Sequence, residues 1–200
     1  MKLIDGLEKI FLNEAPDVSR RVSSQVNIVY PVFHSQDFTF KTIFPTFWAN
    51  REKNPNLVEY EYKRILKGYE IQKKLHDDSI SVAKPFGMRK MHCKGIEELW
   101  NTYAPDFNLS KGAMQGIPGL LMSRVKGLCG TREEKSEEEI KLVEKEIDKT
   151  RKLGYTPSDD YTWNYLFIPS EDKQDFLEDQ KRVVLIDFDS WKEPPIDRSH

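Results

Sequence analysis

Two short apolar runs late in the sequence constrain this chain more than any other feature. Tyr165-Leu166-Phe167 follows Asp159-Asp160-Tyr161-Thr162-Trp163-Asn164, and Val183-Val184-Leu185-Ile186 leads into Asp187-Phe188-Asp189. The 13 residues from Ile168 to Gln180 are mostly polar and charged, which reads as a hairpin loop between two short strands. Such a pair of strands holds Asn164 and Asp187 side by side. An amide oxygen and a carboxylate so placed suit Mg²⁺, a hard cation that takes oxygen ligands and keeps substrate phosphates as others. Asp159, just upstream, is then free to orient an attacking hydroxyl.

A chain of 200 residues suits one domain or two small lobes. Its 31 basic and 33 acidic residues nearly balance, which argues against a generic electrostatic nucleic-acid binder while leaving room for a local basic patch. Cys93 and Cys129 make neither a disulfide framework nor a zinc set, so reduced thiols in a cytoplasmic protein are expected. No apolar run reaches membrane-spanning length, and the charge at Asp5 comes too early for a signal-peptide core.

Earlier in the chain, Lys9-Ile10-Phe11-Leu12 reads as a strand or the end of a short helix. Val26 to Phe33 reads as a strand that Pro31 pushes toward an edge or a bulge. Phe38 to Phe44 is a further strand, stopped by Pro45. Alternation puts Phe38, Phe40 and Thr42 on one face and Thr39, Lys41 and Ile43 on the other. Lys41 in mid-strand has two readings: an edge-strand charge that blocks aggregation, or a cation serving a ligand.

Asn56 can cap a helix from Leu57 to about Leu75, with Val58, Glu61, Ile65, Gly68, Gln72 and Leu75 on one stripe. Glu61 lies on that stripe and Glu70 off it. Ser79 to Met88 reads as the next strand, and Ile96 to Tyr103 as one or two helical turns. His92 and Cys93 have no second pair at ligand spacing and read as structural. Pro118 to Gly127 is a short apolar strand running into a glycine-ended turn. Ser136-Glu137-Glu138-Glu139 is a capping box opening a helix with a stripe of Ile140, Val143 and Ile147, extended by Leu153 and ended by Gly154.

Taken in order, these pieces resemble the protein-kinase-like superfamily across residues 26–191. Phe38-Thr39-Phe40-Lys41 resembles the strand bearing the phosphate-gripping lysine. Ser79 to Met88 resembles the Val-Pro-Lys-Pro stretch of the RIO and aminoglycoside-phosphotransferase branches. Leu120-Leu121-Met122-Ser123-Arg124-Val125-Lys126-Gly127 resembles the strand and hinge. Asp159 with Asn164, and Asp187-Phe188, resemble the catalytic loop and metal motif. The resemblance implies an α+β, bilobal protein-kinase-like fold, with a β-rich N-lobe over residues 1–122 and a hinge and reduced helical C-lobe over 123–200. It implies ATP and Mg²⁺ as cofactors, held between the lobes. Lys41 would hold the phosphates, Met122 would back the adenine pocket, and the backbone of Ser123 and Val125 would meet the adenine edge. Asn164 and Asp187 would hold the metal, Asp159 would orient the acceptor, and Glu61 or Glu70 would pair with Lys41.

The departures are specific. Pro157 stands where the family has histidine, Tyr161 where many members have lysine, and Asp189 where glycine ends the metal motif. No Gly-x-Gly-x-x-Gly precedes Lys41, and only 11 residues follow Asp189, too few for an activation segment or a peptide platform. The expected function is phosphoryl transfer from ATP to a hydroxyl of a protein or small molecule, with a partner completing the C-lobe as one way to supply the platform. The alternatives are a pseudokinase or interaction module that binds nucleotide weakly or not at all, and an unrelated α+β interaction domain.

Overall fold

The computed structural model describes residues 2–12, 17–22, 29–34, 37–130, 134–157, 164–169 and 182–194. It is a mixed helix-and-sheet protein of two compact units: Met1–Leu66 with Pro85–Arg124, and Lys67–Lys84 with Val125–His200.

The first unit is built on a six-stranded sheet. Helix α1 (Lys2–Asp5) leads into strand β1 (Lys9–Leu12), and β2 (Asp17–Val22), β3 (Val29–His34) and β4 (Phe38–Thr42) follow. Then come a short helix α2 (Pro45–Ala49), the long helix α3 (Pro55–Asp77), β5 (Pro85–Cys93), α4 (Ile96–Tyr103) and β6 (Ile117–Ser123). The strand order is β1-β5-β6-β4-β3-β2. Neighbours are antiparallel except β1 and β5.

Three expectations change here. Pro31 is not on an edge strand, because β2, whose polar sequence Asp-Val-Ser-Arg-Arg-Val hides it, takes that edge. The ladder between β3 and β4 begins only at Val32, so the proline faces a registered partner on β2 alone. Lys41 is not an edge residue either, since β4 lies between β3 and β6. The strand expected over Ser79 to Met88 starts only at Pro85. Its first residues instead close α3: the N–H of Ser79 donates to His76 and that of Ile80 to Leu75, with Ser79 at φ 62°.

Helix α3 begins earlier than expected, with Pro55 in its first turn, where a missing N–H costs nothing. The carbonyl of Asn54, not that of Asn56, accepts the Val58 N–H. The stripe read from the sequence is buried along its length, and Glu61 is only 4% exposed. Glu70 is exposed.

The second unit carries the last turns of α3, strand β7 (Leu128–Cys129), helix α5 (Glu137–Lys152), and strands β8 (Tyr165–Phe167) and β9 (Val183–Leu185). The three strands form an antiparallel sheet in the order β7-β8-β9. Its core joins Ile71 and Leu75 of α3, Val143 and Ile147 of α5, Tyr165 and Phe167 of β8, Val183 and Leu185 of β9, and Phe188 and Trp191 beyond it.

Ser136 caps α5 as expected, its hydroxyl accepting the Glu139 N–H at 3.1 Å. The Glu139 carboxylate is fully buried and accepts the Tyr165 hydroxyl at 2.7 Å. The apolar stripe is corrected: Ile140 is 45% exposed, and the buried face runs through Glu139, Val143, Ile147 and Thr150. A hydrogen-bonded glutamate thus occupies the place that periodicity gave to isoleucine. Gly154, at φ +84°, ends the helix with its N–H on Arg151 and the next N–H, from Tyr155, on Thr150. These are the two bonds of a Schellman motif, which needs the left-handed conformation glycine adopts freely. No described helix is long and apolar enough to cross a membrane.

Candidate functional site

In the first unit three of the residues singled out from the sequence lie on adjacent strands, and two of them, Lys41 and Met122, share a face. Directly opposed residues of an antiparallel pair share a face. On β4 and β6, Lys41 is opposite Leu120 and Thr39 opposite Met122, so all four lie on one face. Ser123 is one place further, opposite Phe38. Lys41 is 9% exposed on an interior strand. Burying a lysine that far is costly unless its charge is met, so this position is held by more than surface chemistry. Met122 and Ser123 are half-buried at the end of β6. Burial lifts the Tyr62 phenol of α3 above its usual range.

His92 and Cys93, read as structural, sit at the end of β5. The His92 ring stacks on Phe11 at 5.2 Å, and burial, followed by the charges of Lys9 and Lys90, holds its pKa below the usual value. Burial, and then the Glu97 carboxylate, raises the Cys93 thiol. Among the described residues no group of three or more His, Cys, Asp and Glu side chains could hold a metal.

In the second unit the β8–β9 hairpin forms as read from its apolar runs. Tyr165 pairs with Leu185 and Phe167 with Val183, and the Ile186 N–H donates to the Asn164 carbonyl at 2.9 Å. Asn164 therefore stands at the mouth of the hairpin, across from Ile186 and next to the position of Asp187. Both side chains belong to half-buried residues. Asp187 has φ +67°, a left-handed backbone that costs most non-glycine residues about 1–2 kcal/mol and is tolerated best by Asp and Asn. Right after it, Phe188 is buried against Trp191, with ring centroids 5.0 Å apart.

The strands are also tied at the back. Val82 bridges Leu185 in parallel, the Leu185 N–H donates to Ser81, and the Ser81 hydroxyl donates to Val183. The Ser81 N–H donates in turn to Glu146 of α5 at 3.2 Å. Gln72 of α3 donates to the Ala83 carbonyl at 2.6 Å.

Val125 is half-buried in the loop after β6. Asp159, the expected acceptor-orienting acid, lies outside the described residues, as does Tyr161; Pro157 is half-buried just before them. Sequence reading missed the contacts behind the turn that follows Asp187, which involve Lys67, Gly68 and Trp191. One signal was available, since a glycine on a buried helical stripe asks for a reason.

No family model matches the sequence, and no curated protein matches it. Among solved structures the chain is similar to one described as a co-crystal structure of WbdD and the kinase inhibitor LY294002. That likeness has 13% identity and a TM-score of 0.44, and covers 88% of this chain and 35% of that chain. The chain thus spans about a third of that chain's length, and a likeness this low defines neither fold nor activity.

Proposed function

We propose that this protein is a bilobal, protein-kinase-like phosphotransferase that uses ATP and Mg²⁺ to phosphorylate a hydroxyl acceptor. The observation that carries the reading is the hairpin mouth. There the backbone of Asn164 meets Ile186, and Asp187 follows on a left-handed backbone just beyond a buried strand; we take the Asn164 amide oxygen and the Asp187 carboxylate as the metal donors. Strained backbone of this kind is concentrated at functional sites. Both donors are hard oxygens, the type Mg²⁺ selects, and two protein ligands leave room for phosphate oxygens and water. When bound, Mg²⁺ would neutralise charge on the phosphates during transfer.

The chain's own residues take the remaining roles. Lys41, on an interior strand, would bind phosphate oxygens as a cation with little freedom to move. Met122, in register with Thr39, would back the base, and Ser123 and Val125 would meet its edge through their backbone. Asp159 would accept the proton of the attacking hydroxyl or hold it in line. Glu61, buried on the α3 stripe, suits a partner role for Lys41 better than the exposed Glu70.

Incubation with Mg²⁺ and ATP labelled in the γ-phosphate tests the reading. Label released or transferred by the wild type, and lost with chelator and in Asp187→Asn, supports it. A second reading, nucleotide binding without turnover, is favoured by Pro157 and Tyr161 in the catalytic stretch. ATP bound with its γ-phosphate intact would select that reading, and no binding at millimolar ATP would remove both.

A further inference from the structure

Gly68 is the one glycine of α3, and it has a neighbour that accounts for it. A Cβ built there would lie 2.5 Å from Asp189 Oδ1, 3.2 Å from the Asp189 N and 3.4 Å from its Cα. A side-chain carbon there requires the Asp189 carboxylate to move and the turn's backbone to give by a few tenths of an ångström. Mid-helix glycine costs about 1 kcal/mol relative to alanine, so the close approach replaces a better helix former. One residue earlier, Lys67 Nζ donates to the Trp191 carbonyl at 2.8 Å. Consecutive α3 residues therefore grip the turn that follows Asp187 at two points, Asp189 and Trp191. Beside those points Phe188 and Trp191 fill the core with Ile71 and Leu75 of the same helix.

From this packing we infer that Lys67 and Gly68 are positioning residues for Asp187, and that α3 sets where the metal-binding carboxylate stands. The inference rests on the phosphotransferase reading. Asp187 is bounded on one side by the β9 ladder and on the other by a turn seated on α3. Its left-handed backbone persists because both neighbours are fixed. The Asp189 carboxylate is directed at α3 and acts as a spacer there. Moving the turn off the helix by even an ångström shifts Asp187 relative to Asn164, and Mg²⁺ tolerates little departure from octahedral geometry.

The test is the Mg²⁺ concentration that gives half of the ATP-dependent rise in melting temperature, measured for the full chain and a set of variants. Gly68→Ala should raise that concentration at least tenfold. Adding Asp189→Ala, which removes the obstructing oxygen, should restore it to within about threefold. Adding Asp189→Asn, which keeps an atom in the same place, should not. Lys67→Met should raise it several-fold in a chain that still unfolds cooperatively. If Gly68→Ala does not fold, rescue of both folding and the Mg²⁺ midpoint by Asp189→Ala but not by Asp189→Asn carries the same conclusion. A wild type with a Mg²⁺-dependent rise and a Gly68→Ala variant with the same midpoint overturns this inference alone. A wild type with no Mg²⁺-dependent rise overturns the phosphotransferase reading and this inference with it.

Discussion

The Ile186 N–H donates to the carbonyl of Asn164 at 2.9 Å, and this bond closes the β8–β9 hairpin at the end where Asp187 leaves it. It brings together two oxygen-bearing residues that are 23 positions apart in the sequence. The register that does so is fixed by the apolar pairs behind it, because a slip of one residue would turn Tyr165, Phe167, Val183 and Leu185 out of the core. The placement of Asn164 and Asp187 at the mouth is thus a consequence of packing in the sheet.

That dependence gives a stability prediction. The Tyr165 hydroxyl satisfies the buried Glu139 carboxylate. Tyr165→Phe leaves that oxygen without this donor and should destabilise the protein by about 1–3 kcal/mol. Urea unfolding measures it, and an unchanged midpoint would show that the bond contributes nothing.

The α5 cap is a smaller term. Ser136→Ala removes the acceptor for the Glu139 N–H and should cost about 1 kcal/mol. Ser136→Gly should cost only a few tenths. Equal losses in the two variants would contradict a capping role.

Lys41→Met tests the cation on the inner strand. Methionine keeps an unbranched chain, one atom shorter, and removes the charge. If Lys41 serves phosphates, apparent ATP affinity should fall at least tenfold, about 1.4 kcal/mol, while the far-ultraviolet circular dichroism stays that of the wild type. Undiminished affinity would contradict the assignment.

His92 should make stability depend on pH. Its pKa in the folded chain lies below the ordinary 6.5, because of burial first and of Lys9 and Lys90 second. As pH falls through 6.5 the unfolded chain takes up the proton before the folded one, so stability drops, and it levels off below the folded pKa. His92→Gln should remove that part of the drop in a melting series across this range. The same slope in the variant would assign it to other groups.

The two cysteines should differ in reactivity. Cys93 is buried with a raised thiol pKa, and Cys129 is half-buried. Alkylation at neutral pH should modify Cys129 first and reach Cys93 only in denaturant. Equal rates in the native protein would contradict the packing of β5.

What the sequence made legible was what regular periodicity carries: the hairpin, the α3 stripe, α4, and the cap and glycine stop of α5. Strand β2 was not legible, because an edge strand with four polar residues in six lacks the alternation that marks a half-buried one. Lys41 was ambiguous for a related reason: strand position in a sheet is a tertiary fact, and only the partners of β4 show it to be interior. Ile140 misled because the face of a helix is set by what packs on it, and the Tyr165 hydroxyl drew Glu139 inward in its place. Gly68 was visible as an oddity, but its cause, Asp189, lies over a hundred positions away.

The most direct test of the central claim is a melting experiment with ATP, with and without Mg²⁺, on the wild type and Asp187→Asn. Asparagine keeps the tolerance for a left-handed backbone and removes only the charge, so it isolates the metal ligand better than alanine. At a hundredfold excess over Kd, ligand linkage is worth about 2.7 kcal/mol, a rise of roughly 5–10 °C for a chain of this size. The account predicts that rise in the wild type with Mg²⁺, little without it, and little in Asp187→Asn under either condition. An equal rise in both proteins, or none in the wild type at millimolar ATP, would contradict it.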